Sequence, residues 1–292
     1  MIVPLSKNIY VLKAPNRSRY PYCNCLFIND DIKAVIDNSC GKENLDFLMR
    51  ENLNVIINSH FHEDHVLNNP SFPKAEIWAH RLDAPAIRAL DVMQEYYGFK
   101  NPEEKKLGLS YLEAIGYQES MVDRELEDGD ILNFGRVELR VILTAGHTPG
   151  HCCFYEEKEG LLFSADIDLS DFGPWYGHDC SDVDDFIASI NKCIDINPAI
   201  VVTSHNDIFK ENIIEAMKKY LNIIYKKEEI LFNYLKIPST LESLAEKQIY
   251  YGYYYKQDEP FHKISEKMAI EKLLKRLLKQ QAIKKEGDIY WR

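Results

Sequence analysis

Short apolar runs rich in β-branched or aromatic residues recur through the first 209 positions, each bounded by polar or turn-forming residues. Residues 8–13 and 24–37 read as early strands, with Asn29-Asp30-Asp31 as the turn of a hairpin. Residues 41–51 take helical spacing and lead into the strand Val55-Ile56-Ile57. A helix begins near Arg81 and runs to Leu90, and further strand patterns cover 137–143, 160–165 and 199–204. Such alternation predicts an α/β fold. Residues 92–121 interrupt it with Tyr96, Tyr97, Phe99, Tyr111, Leu112 and Tyr117, at helical spacing around 109–115. This insertion reads as packing helices placed where they can also serve as a lid.

The pattern changes near residue 210. Residues 213–235 and 267–281 are long helical stretches, the second with Ile270, Leu273, Leu274, Leu277 and Leu278 on one face. Thr240 starts a short helix with a capping pattern, and 282–291 reads as two strands about Glu286-Gly287-Asp288. The predicted division is 1–209 and 210–292. Charge agrees, because the last 83 residues hold 17 Lys and Arg against 12 Asp and Glu while the whole chain carries −11. An acidic first domain is poorly suited to gripping a long polyanion on its own. No apolar stretch approaches the roughly 18 residues of a membrane span, and residues 1–7 lack the pattern of a secretory signal. Seven cysteines, with Cys152 and Cys153 adjacent, fit a reducing cytoplasmic setting better than a disulfide framework. Cys23 and Cys25 read as strand residues.

Four of the strands run into a metal-capable residue. The densest group is His60-Phe61-His62-Glu63-Asp64-His65 after Val55-Ile56-Ile57. His60 and His62 alternate on one side of an extended turn, and Asp64 and His65 follow on the other. That order suits two imidazoles on one divalent ion, with a carboxylate and an imidazole on a neighbour. His147 follows strand 137–143, Asp166 follows 160–165 and His205 follows 199–204.

These residues, with Gly146-His147-Thr148-Pro149-Gly150-His151, resemble the metallo-β-lactamase superfamily over about residues 1–209. The resemblance implies a four-layer αββα sandwich with metals at one edge. It implies that His60, His62 and His147 hold one ion, that Asp64, His65 and His205 hold a second, and that Asp166 bridges them. Ser204-His205-Asn206 departs from the Gly-His-Gly of many relatives. Two divalent ions, most simply zinc with iron or manganese as alternatives, would carry a bridging hydroxide suited to hydrolysis. Asp64 and Asp166 are thus the carboxylates on which catalysis rests. The tail resembles the winged-helix appendage of the lactamase-B-like branch, some members of which cleave RNA.

The Gly- and Pro-marked loop 171–179 follows Asp166 and offers Trp175, Tyr176 and His178 as substrate contacts. His80 and His151 read as structural, and Glu63 as a supporting or solvated carboxylate. The favoured substrate is a small anionic ester or thioester, as in glyoxalase-II-like relatives. The alternatives are an endoribonuclease or phosphodiesterase, a mononuclear iron persulfide dioxygenase, and a metal-retaining regulatory module. RNA contact would fall to Lys272, Lys275, Arg276 and Lys279, which face away from the apolar stripe. A homodimer interface would fall to Tyr250, Tyr251, Tyr253, Tyr254 and Tyr255. No membrane partner is expected.

Overall fold

The computed structural model describes residues 1–256 and 259–292. Seven strands, β1 (Ile2–Pro4), β2 (Ile9–Leu12), β3 (Cys25–Ile28), β4 (Ala34–Ile36), β5 (Val55–Asn58), β6 (Glu76–His80) and β7 (Arg124–Leu126), form one sheet in chain order. It is antiparallel from β1 to β4 and parallel from β4 to β7. The second sheet runs β13 (Ile208–Phe209), β12 (Ile200–Thr203), β11 (Leu161–Ala165), β10 (Cys152–Glu156), β9 (Glu138–Leu143) and β8 (Ile131–Asn133). Only β11 and β12 are parallel there.

Alternation of side chains assigns the layers. In β4, Ala34 and Ile36 face the gap between the sheets, whereas Val35 faces outward; in β5, Val55 and Ile57 face in and Ile56 out. The inward residues meet Val141, Phe154, Phe163 and Val202 of the second sheet. The outer face of the first sheet is covered by α1 (Lys42–Arg50), α3 (Ala84–Arg88), α4 (Leu90–Tyr97) and α5 (Pro102–Ala114). That of the second is covered by α6 (Val183–Ile196), α7 (Ile213–Tyr234) and α9 (Pro260–Lys279). The result is the expected αββα sandwich.

Several sequence expectations change in detail. The helix read from Arg81 to Leu90 is two pieces, α3 and α4, with Ala89 extended between them. Cys25 lies in β3, but Cys23 precedes it. α9 starts at Pro260, seven residues early, because a proline fits the first turn and Phe261 packs on Phe99 and Tyr111 of the insertion. The insertion therefore has a partner in the tail. The short strands β1, β7, β8 and β13 carry too few residues for a periodic signal.

α8 (Leu241–Ala245) is capped by the Thr240 side chain, and β14 (Ser239–Thr240), β16 (Ile289–Trp291) and β15 (Lys284–Glu286) form a small third sheet. This tail shares one core with the second sheet, where Leu162 and Val201 join Phe186, Met217, Tyr250 and Leu273. Tyr250 and Tyr251 belong to that core and are unavailable to an interface; Tyr253 and Tyr254 remain exposed. The basic face is also engaged within the chain. Arg276 pairs with Glu228 at 2.7 Å and with Asp184, Lys279 with Asp184 at 2.8 Å, and Lys275 with Glu271 at 3.2 Å. Lys272 is half-buried and points to the Asp179 carbonyl at 3.4 Å.

A shared core makes the tail part of one cooperative unit. Leu273→Ala is expected to destabilise the chain by roughly 2–5 kcal/mol. Urea denaturation followed by far-ultraviolet circular dichroism and by tryptophan fluorescence should give coincident curves at a lower midpoint. A separate early transition would show that the tail unfolds by itself.

Candidate metal centre

Each expected ligand lies just beyond a strand, and the two sheets bring them together. His60 and His62 follow β5, Asp64 and His65 lie in the short helix α2 (Glu63–Val66), His147 lies between β9 and β10, Asp166 follows β11 and His205 follows β12. The extended turn expected over the whole motif thus stops at His62, and helix α2 carries the rest.

The donor atoms converge in two groups. His147 Nε2 lies 3.2 Å from His60 Nε2, 2.9 Å from His62 Nδ1 and 3.3 Å from Asp166 Oδ2. His65 Nε2 lies 3.2 Å from Asp166 Oδ1 and 3.7 Å from Asp64 Oδ2; His205 Nε2 lies 3.4 and 3.3 Å from the same oxygens. A tetrahedral ion with ligands at 2.0–2.1 Å separates them by about 3.3 Å. Asp166 contributes one oxygen to each group.

The hydrogen bonds on the far side of each ring fix which nitrogen is free. The Nδ1–H groups of His60, His65 and His147 donate to Ser59 Oγ, Asp37 Oδ2 and the Trp175 carbonyl, at 3.0, 2.8 and 2.8 Å. His205 Nδ1–H is shared between the Ser18 and Tyr22 carbonyls, and His62 Nε2–H donates to His178 Nδ1 at 2.9 Å. Five imidazole lone pairs therefore point inward. They repel one another unless positive charge sits between them, as a metal ion or as protons on His65 and His205. His65 Nε2 and Asp166 Oδ1 are buried without any hydrogen-bond partner, which a metal ion would remedy.

Electrostatics gives the same demand. Burial, reinforced by neighbouring imidazoles, holds His60 and His62 well below the ordinary histidine range. Burial opposes charge on His65 and His205 too, but the nearby carboxylates, Asp166 foremost, outweigh it and lift His205 to about 10. Burial likewise opposes charge on Asp166, yet the surrounding histidines keep it well below the usual carboxylate range. The second group is thus built to hold positive charge. The donor set and spacing fit two divalent ions.

Two buried aspartates that sequence spacing did not single out hold the ligands in place. Asp37 Oδ1 accepts from the Ser59 amide at 2.8 Å, and Oδ2 accepts from Ser59 Oγ and His65 at 2.8 Å each. Asp83 Oδ2 accepts from the Phe61 amide at 3.0 Å and Thr148 Oγ1 at 2.6 Å, and Oδ1 from the Gly150 amide at 2.6 Å. Asp83 therefore ties the His60–His62 turn on one sheet to the His147 loop on the other. Both residues follow a strand, but so do many aspartates that only cap turns. Gly146 completes that loop: its φ of 126° suits glycine, and a Cβ would lie 2.3 Å from the Phe186 amide nitrogen. His151, expected to be structural, accepts the Asp166 amide at 3.1 Å, so it positions Asp166. Cys23 groups with Asp37 and His65, whose polar contacts already join them to each other.

The loop after Asp166 is only partly brought to the site. Trp175 and His178 pack on His62 at ring distances of 5.8 and 4.8 Å. Tyr176 does not reach the ligands. It is fully buried in the core against Tyr250, with its amide donating to the Tyr250 hydroxyl, so a substrate contact for it is withdrawn. Glu63 is buried, not solvated; it accepts from Tyr20 at 2.6 Å and from Tyr97 of the insertion, and burial beside Asp64 raises it to about 7. Tyr97 also covers His178 at 4.2 Å, which places the insertion against one wall of the site.

Asp83→Ala leaves three donors unpaired and is expected to cost about 3 kcal/mol of stability. It should also weaken metal retention by roughly 10- to 100-fold, read as zinc transfer to a chelator. Retention equal to that of the unaltered protein would show that the two ligand loops need no such tie.

Comparison with known proteins agrees with this geometry. Residues 20–205 match the family model of the metallo-beta-lactamase superfamily. A metallo-beta-lactamase family protein from Thermus thermophilus is 20% identical, with a TM-score of 0.78 over 99% of this chain and 100% of that one. A beta-lactamase domain protein from Burkholderia ambifaria is 16% identical, with a TM-score of 0.72 over 100% and 93%. These likenesses show the fold, tail included. A hydroxyacylglutathione hydrolase of Gloeobacter violaceus is 29% identical over 153 residues, 49% of this chain and 48% of that protein. One from Haemophilus influenzae is 29% identical over 155 residues, 49% of this chain and 66% of that protein. The chain thus spans about half the length of the first of these curated relatives. With the family match across both ligand groups, the chain belongs to the metallo-beta-lactamase superfamily.

Proposed function

We propose that this chain is a binuclear metal-dependent hydrolase acting on a small anionic thioester or ester. The observation that carries the reading is the pair of complete donor groups sharing Asp166, with His65 Nε2 and Asp166 Oδ1 buried and otherwise unpartnered. His60, His62 and His147 would hold one ion, Asp64, His65 and His205 the other, and Asp166 both. Bound divalent ions supply Lewis acidity and can lower the pKa of water to about 7. The protein's own part is to fix five neutral imidazoles by their outer hydrogen bonds. It also excludes bulk water with Trp175, Tyr97 and His178 and keeps Asp166 ionised. The thioester preference is supported by the hydroxyacylglutathione hydrolases among its relatives. Zinc suits the donors, and iron is the alternative; one fold relative, 21% identical with a TM-score of 0.52, is described in a di-iron-bound form.

The nuclease reading loses support from the tail. Its elements, α8, α9 and the β14–β16–β15 sheet, keep a winged helix as a proposal for residues after 235. Yet Arg276, Lys275 and Lys279 are engaged by carboxylates of the same chain. A mononuclear iron site or a regulatory module would leave the second donor group without a use. No helix among the described residues is long and apolar enough to cross a membrane. A cytoplasmic location stays part of the proposal.

Metal analysis of protein reconstituted with zinc should find close to two ions per chain, and Asp64→Ala should hold close to one. A persistent single ion in the unaltered protein would overturn the binuclear reading. In a panel of an S-acyl glutathione, a lactone, a phosphodiester and RNA, the thioester should be cleaved fastest. Asp166→Asn should remove most of that activity while keeping the fold. RNA cleavage above thioester cleavage, lost on reversing Lys275 and Lys279, would favour the nuclease instead.

A further inference from the structure

The donor cluster opens on one edge. Asp166 and His205 keep 12% and 16% of their side-chain exposure, while the other five ligands are buried. The wall beside His205 is the loop 13–24, whose Ser18 and Tyr22 carbonyls accept from His205. Asn16, Arg17 and Ser18 take φ values of 52°, 56° and 57° in succession, a conformation that non-glycine residues adopt only when surroundings impose it. Ser18 is turned inward with its hydroxyl on Asn24, while Arg17 and Arg19 stay exposed. Tyr20 anchors the loop to Glu63. Phe172 of the loop after Asp166 meets the Tyr254 ring at 5.5 Å, and Tyr253 lies 4.0 Å from Tyr254. Arg19 is close enough to Tyr254 for its charge to act on that phenol.

These two arginines stand apart from most others in the chain. Arg81, Arg88, Arg124, Arg136, Arg140 and Arg276 each face a carboxylate. Among the described residues, Arg17 and Arg19 pair with none, although the first 209 residues hold 34 Asp and Glu against 18 Lys and Arg. Two guanidinium groups left free in such a field, on a strained loop fixed to a ligand histidine, are placed to meet an anion arriving from solution. Guanidinium forks bind carboxylate or phosphate oxygens in pairs.

We propose that Arg17 and Arg19, with Tyr253 and Tyr254 near Arg19, form an oxyanion-recognising rim that receives the charged arm of the substrate while its reacting carbonyl reaches the Asp166–His205 edge. This inference rests on the hydrolase reading. It gives residues 253–254 of the tail a part in substrate selection and makes the two arginines specificity residues, not catalytic ones.

The test uses three thioesters of one acyl group on zinc-loaded protein: the glutathione ester (carboxylates), the 4′-phosphopantetheine ester (phosphate) and the neutral N-acetylcysteamine ester. In R17Q/R19Q, the ratio of kcat/KM for the preferred anionic ester to that for the neutral one should fall at least about tenfold. Its decline with salt should also flatten. R19Q alone should give an intermediate fall, and R50Q, which removes an exposed charge on α1, should keep the ratio. An unchanged ratio in R17Q/R19Q overturns the rim while leaving the hydrolase reading standing. Calorimetric titration with S-methylglutathione and with 4′-phosphopantetheine separates the two ideas if no thioester is cleaved. Affinity weakened about tenfold in R17Q/R19Q then supports the rim, although the thioesterase reading has failed. Equal affinity, or no saturable binding of either probe by the unaltered protein, overturns it.

Discussion

Five imidazole lone pairs and two carboxylates meet inside a space that water scarcely enters, and most other features of this fold hold them there. Left alone, neighbouring nitrogen donors at 2.9 to 3.2 Å repel, and the carboxylates lose hydration. A divalent ion in each group, as proposed, would turn both costs into attraction. The chain must therefore present the donors in fixed orientation before an ion arrives, and each ring is held by a hydrogen bond on its outer nitrogen.

The sandwich supplies that rigidity through its two faces. Alternating residues of β4 and β5 send one set of side chains into the gap between sheets and the other towards α1 and the insertion. The strands cannot slip by one position without exchanging the two sets between layers packed for the other. Their ends are thus fixed, and so are the loops that carry His60, His147, Asp166 and His205. Asp83 joins the loops of the two sheets directly, which makes the cluster a property of their packing and not of either sheet alone.

The tail completes the same construction. Lys227 on α7 donates to the Phe172 carbonyl at 3.0 Å and lies over the Phe172 and Tyr250 rings. Burial draws this lysine down to about 7. Glu266 on α9 accepts the Tyr250 and Tyr251 amides. These buried polar contacts hold the loop after Asp166 from behind, while Trp175 in that loop orients His147. Residues far apart in sequence thereby control one ligand ring.

The sequence by itself determined the alternation of strands and helices, the grouping of the seven candidate donors and the apolar stripe of α9, because each depends on local periodicity or on chemically distinctive residues at fixed spacing. The αββα layering came from the family resemblance, and the helix that carries Asp64 and His65 was not foreseen. Tertiary structure alone decided the partners. Asp37 and Asp83 look like ordinary turn aspartates until the sheets bring donors to them. Tyr176 and His178 sit two residues apart in one loop, yet one packs into the core and the other onto His62. The four basic residues of α9 read as a free cationic face because their carboxylate and carbonyl partners on α6, α7 and the loop before α6 are nearly 50 to 95 positions away, apart from Glu271. A side chain's burial and pairing depend on what packs against it, and no spacing within one segment carries that information.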